Sequence, residues 1–170
     1  MEVKEIKSVR IWKNIKIGTF VDVNELKEAI YRMKDFISMG AKELMYSPDF
    51  KMSKDECEIR LIKKSVKDFG FRKVGTSLNE ILKAAEAMGY KLCPAEAGPQ
   101  LRWQYIDQLS GEKIHMAMKP IENSAGIPCL FSLLRYGDGE GLLHTLSFDP
   151  EKLFKLDACF VFCVDENVEL

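Results

Sequence analysis

Glu96, Arg102 and His115 are a carboxylate, a guanidinium and an imidazole, from which a proton donor, an anion clamp and a proton acceptor can be assembled. The chain has two histidines, His115 and His144, so histidine chemistry must pass through one of them. His144 alternates with Leu142 and Leu146 and reads as a core or sheet-edge residue. Glu96 and Arg102 belong to the stretch LCPAEAGPQLRWQY, where Pro94 and Pro99 restrict the backbone, Gly98 interrupts a longer helix, and Gln100 and Gln104 add two amides. Two uses of this stretch stay open. As a ligand-binding corner, Glu96, Gln100, Arg102 and Gln104 form a polar contact surface on a preorganised backbone. As a catalytic set, Glu96, Arg102 and His115 would serve a metal-independent hydrolase or transferase acting on a phosphate-bearing or nucleotide substrate. The plainer alternative makes His115 a polar residue on a wet sheet face and lets Glu96 pair with Arg102 to hold the corner. The binding domain is the preferred function, with a small molecule or another protein as its partner.

Other chemistries lack their residues. There is no GxSxG, P-loop, dinucleotide fingerprint or kinase signature, so no cofactor is expected, and GDGEG at 137–141 lacks the strand-to-helix context of a phosphate cradle. No metal is expected either: Cys159 and Cys163, four apart on a strand, stand roughly 13 Å from each other. The 25 basic and 26 acidic side chains give a net charge of −1, so the overall balance attracts neither nucleic acid nor an anionic membrane. The spacing Lys7, Arg10, Lys13, Lys16 and the cluster Lys63, Lys64, Lys67, Arg72, Lys73, with Trp12 and Phe71 nearby, could meet phosphates. Interleaved acids such as Glu58 and Asp68 favour a solvated face instead. Five cysteines without a CxxC pair, and no apolar run after MEVKEIKSVR, fit reduced thiols and a cytoplasmic location. Apolar runs such as CFVFCV fall short of the roughly 20 residues of a membrane helix.

The elements that must position these side chains can be read from periodicity. With 170 residues, 46% of them hydrophobic, and no repeat or long linker, residues 1–170 form one domain, helix-rich to about 98 and strand-rich from about 99. Val9 to Ile17 alternates as a strand ended by Gly18. A helix capped by Asp22 carries Leu26, Ala29, Ile30, Met33 and Ile37, and a short second helix spans 41–46. The pair invites a helix-turn-helix reading, which Lys42, Glu43 and Tyr46 do not support as base readers. Glu58 to Val66 is a strand. Ser77 and Glu80 form a capping box for the clearest helix, with Gly89 as its stop.

The span 93–97 is then expected to be at most one helical turn. Leu101, Trp103 and Tyr105 would pair with Ile114, Met116 and Met118 in a hairpin that sets Gln104 opposite His115 and Arg102 opposite Ala117. Strands 129–136 and 141–148, a short helix 151–155 and a last strand 158–164 follow. The fold class is α+β: an antiparallel sheet of about five or six strands, meander-like in its second half, with helices on one face. The last strand is apolar on both sides, so it is expected at the centre of the sheet, or else completed by a second copy of the chain. The acidic tail from Asp165 to Leu170 favours the central place and a monomer over a homodimer.

The segment LCPAEAGPQLRWQYIDQ, with GEKIHMAMKPI and WKNIKIGT, resembles a family of uncharacterised bacterial proteins carrying an LCPAE-GPQLR-QY segment. The likeness runs from Trp12 to about Ile121. It implies a bacterial, cytoplasmic protein and no assigned activity. The family pattern is apolar at the position of His115, which leaves Glu96, Gln100, Arg102 and Gln104 as the motif matches.

Overall fold

The computed structural model describes residues 9–165. Lys7 and the tail beyond Asp165, both invoked above, lie outside the described residues. In chain order the strands are β1 (Lys13–Ile17), β2 (Phe36–Ile37), β3 (Cys57–Ser65), β4 (Thr76–Ser77), β5 (Lys113–Met116), β6 (Ile121–Glu122), β7 (Pro128–Arg135), β8 (Gly141–Ser147), β9 (Leu153–Phe154) and β10 (Cys159–Val164). The α-helices are α1 (Val23–Arg32), α2 (Met39–Met45), α3 (Leu78–Ala87) and α4 (Ala97–Gln104), and Val66–Phe69 is a 3-10 turn.

Local signals explain three of the helices. Asp22 accepts a hydrogen bond from the Glu25 amide at 2.9 Å to start α1, and Ser38 does the same for Ala41 at the head of α2. The Ser77/Glu80 capping box opens α3, and Gly89 follows it with φ +81. The apolar spacing through Ile37 overran α1, which ends at Arg32. Lys34 takes φ +63 there and turns Asp35 into the core, and Phe36–Ile37 leaves as β2 beside β8. A strand therefore separates α1 from α2, and this pair does not form a helix-turn-helix.

The order in the main sheet is β1-β3-β10-β5-β7-β8-β2, with β6 added on β7. The fold is α+β as expected, but the sheet has eight strands and is mixed, since β10 runs parallel to β5 and β2 parallel to β8. The helix expected at 151–155 is replaced by β9, which pairs with β4 in a separate two-stranded sheet. β10 lies between β3 and β5, and its alternate residues Val161 and Phe162 are both buried, the placement that its two apolar faces require.

Helices cover both faces of the sheet, not one. A Cβ on Gly98 of α4 would meet Phe131 at 2.8 Å, and one on Gly40 of α2 would meet Thr145 at 2.9 Å; Phe131 and Thr145 are paired across β7 and β8, so these helices share a face. Ser132 points the other way, beside His115, Phe160 and Phe154 of β9. Phe162 on that second face meets Phe69 and Tyr90 and lines a groove with Leu82 of α3.

Candidate functional site

The expected hairpin from Leu101 to Met118 does not form. Residues 97–104 are α4, and β5 pairs with β7 and β10. Pro94 and Ala95 carbonyls accept from the Ala97 and Gly98 amides to begin a turn, and Pro99 sits in the first helical turn, where its missing N–H would have no intrahelical partner. Gly98 fits because α4 presses on Phe131.

On one face of α4, spacing of four residues aligns Glu96, Gln100 and Gln104. The Glu96 carboxylate, 1% exposed, accepts from the Gly18 and Ser53 amides at 2.7 Å each and from Gln100 Nε2 at 3.0 Å. Gln100 exchanges hydrogen bonds with the Thr19 hydroxyl and accepts one from Gln104. The Gln104 amide donates to the Lys16 carbonyl at 2.8 Å and accepts from its N–H at 2.9 Å, as another strand would on the free edge of β1. Gly18 must be glycine where the chains cross: it takes φ +70, and a Cβ would lie 2.2 Å from the Asp55 carbonyl.

Arg102 is elsewhere, about 120° around the helix from Glu96. It is fully buried, with Nε 2.9 Å from Asp35 Oδ2, although off the line of an aligned hydrogen bond. Its Nη1 donates to Gln108 and to the Leu134 carbonyl, and Nη2 to the Tyr105 carbonyl. Asp35 also accepts from the Gly141 amide. Burial lowers the Arg102 pKa, Asp35 opposes that, and the guanidinium stays protonated. Nearby, the Tyr105 hydroxyl donates to Glu112, which pairs with Lys63 at 2.9 Å.

His115 lies behind the sheet from α4. Its Nδ1 is 2.7 Å from Ser132 Oγ, and burial, helped by Lys113 and Lys152, lowers its pKa to about 3. The three proposed catalytic groups therefore do not converge: Glu96 and Arg102 occupy different sides of one helix, and His115 the far face of the sheet. The expected polar face shared by Gln104, Arg102 and His115 is absent for the same reason. Of the four proposed ligand contacts, Glu96, Gln100 and Arg102 are buried and engaged internally, and Gln104 is half-buried.

The surface of the corner is made by other residues. Exposed Pro94 and half-buried Ala95 border a concavity of about 460 Å³ completed by Asp49, Lys51, Cys93, Lys119, Pro120 and Ile121. Sequence reasoning missed Asp35, Gln108, Lys51 and Lys119, which reach the corner through long-range packing and carry no local motif. The left-handed turn needed at Lys34 was the one trace of Asp35, and lysine there conceals it.

Three members of the candidate basic rows are paired with acids: Lys13 lies 3.4 Å from Asp107, Lys16 2.7 Å from Glu56 and Lys63 2.9 Å from Glu112. Among the described residues no three His, Cys, Asp or Glu side chains gather as metal ligands, and no helix is long and apolar enough to cross a membrane. Fold and site together define an α+β protein with a mixed sheet and a polar corner built from the inside. Compared with protein families, with curated proteins and with solved structures, the chain matches none.

Proposed function

We propose that this protein is a binding domain without catalysis of its own, and that it recognises its partner on the outer side of the 94–104 corner. The concavity between Pro94–Ala95 and Lys119–Ile121 is the contact surface. Its apolar floor, with Lys51 and Lys119 outnumbering Asp49 at its rim, suits a small molecule or protein segment with an apolar body and an acidic group. The observation that supports this reading is the Glu96 carboxylate, whose hydrogen bonds pin Gly18, Ser53 and Gln100 behind the surface and so fix its shape before any partner arrives.

A thermal-shift screen against carboxylated and phosphorylated metabolites, nucleotides and acidic peptides tests the proposal. Ligand present at a hundred times its dissociation constant stabilises the fold by about 2.7 kcal/mol. Lys51→Ala and Lys119→Ala, both at exposed positions, should weaken the best hit while leaving the unliganded melting temperature nearly unchanged. A hit indifferent to both substitutions removes this surface from consideration.

A further inference from the structure

We propose that Cys93 and Cys163 form a reversible dithiol–disulfide pair, oxidised by hydrogen peroxide, that fastens the segment 91–93 to β10. Lys91 and Cys163 exchange both backbone hydrogen bonds, at 2.8 and 2.9 Å. Two residues further on, Cys93 lies on the same side and directs its Sγ at the Val161 carbonyl, 3.5 Å away. The Cys93 backbone leaves this pairing to bridge Met118, its N–H donating to the Ala117 carbonyl at 2.7 Å, while its Sγ stays beside β10, two residues from Cys163. Burial, together with the adjacent Cys163 thiol, holds the Cys93 thiol above its ordinary range.

Both buried residues border a solvent-filled concavity. Cys93 lines the concavity described above, Cys163 lines a second one of about 430 Å³, and Pro94 borders both, so the pair sits in the wall between them. Two unbonded thiols must close to an S–S bond of about 2 Å, so forming it draws the backbone inward. The segment that must move is held to its neighbours through isolated bridges at Lys91 and Cys93, not through a continuous ladder.

The deprotonated Cys163 sulfur attacks one peroxide oxygen, the O–O bond breaks, and the departing hydroxide takes a proton to leave as water. The Cys93 sulfur then attacks the resulting sulfenic sulfur, the S–O bond breaks, and a second water leaves with the Cys93 proton. Two thiols lose two electrons and two protons, and one peroxide becomes two waters. Because Cys93 lines the proposed contact surface, the bond would reshape it, but neither the chemistry nor its test depends on a ligand there.

The test uses the full chain carrying Cys57→Ser, which removes an exposed thiol that could link two molecules. After peroxide treatment the protein is denatured, alkylated with N-ethylmaleimide, digested and analysed by mass spectrometry. Cys93 and Cys163 should escape the label and appear in one cross-linked peptide, while Cys129 and Cys159 are labelled. Dithiothreitol should restore labelling, and adding Cys163→Ser should leave Cys93 labelled throughout. Full labelling of Cys93 and Cys163 overturns the proposal, as does oxidation of Cys163 to sulfinic acid with Cys93 still free.

Discussion

Asp35 and Arg102 hold opposite charges in the interior, where a charge left alone is costly. Arg102→Met should lower unfolding stability by about 3–5 kcal/mol, because Asp35 stays buried opposite an apolar side chain. Adding Asp35→Asn should return part of that loss, as urea unfolding of the single and double variants will show. His115 acts on pH dependence. Its folded pKa of about 3 lies below the ordinary 6.5, so between these values the unfolded chain binds the proton that the native state refuses. The stability it contributes is complete above about pH 6.5 and is lost as pH falls toward 3, at a slope of up to about 1.4 kcal/mol per pH unit. His115→Gln keeps a partner for Ser132 and should flatten that part of the curve. An unchanged slope would assign acid sensitivity to other groups, His144 among them, whose pKa burial also lowers.

The helix α4 shows what a sequence conceals. Residues 97–102 are all buried, so no polar face marks the helical period, and Leu101, Trp103 and Tyr105 left an alternation that read as a strand. By contrast α1 and α3 carry readable caps at their own N-termini, β3 and β8 carry their own alternation, and β7 is a continuous apolar run beside a glycine-rich turn. These elements were legible because the signal is local. The strands β2 and β9 are two residues each and exist because partners elsewhere in the chain receive them. At the site, the residue types at 96, 100, 102 and 104 were noticed correctly, but which way each points depends on whether the backbone is helix or strand. Gly98→Ala tests the packing of α4 directly. Alanine favours a helix, yet its Cβ would stand 2.8 Å from Phe131, so thermal unfolding should report a loss of about 1–3 kcal/mol. Should Gly98→Ala stabilise the protein instead, α4 does not lie against β7 as described.

Within the main sheet of the described residues, the early strands β1 and β3 join the later β5, β7 and β8 through β10, while α4 also spans from β1 to β7. Phe162→Ala should therefore cost about 3–5 kcal/mol, and hydrogen exchange should quicken in β3 and β5 together. Exchange that quickens in β3 alone would mean the two halves hold together by other contacts. The antiparallel, half-solvated meander expected from the second half failed on this point. A chain that returns its last strand to the middle makes a parallel neighbour of β5, and both sides of the sheet then need cover.

The position of β10 also governs the order of events during synthesis. A ribosome delivers the chain from its N-terminus, and domains fold as units once their parts have emerged. Here the strand that joins the two halves follows both of them in the chain, so β3 and β5 wait with an open seam between them until residues 159–164 are free. Until β10 docks, Leu61, Ile62 and Ile114 lack their partners Cys163, Phe162 and Cys159, and the core is completed by a long-range closure.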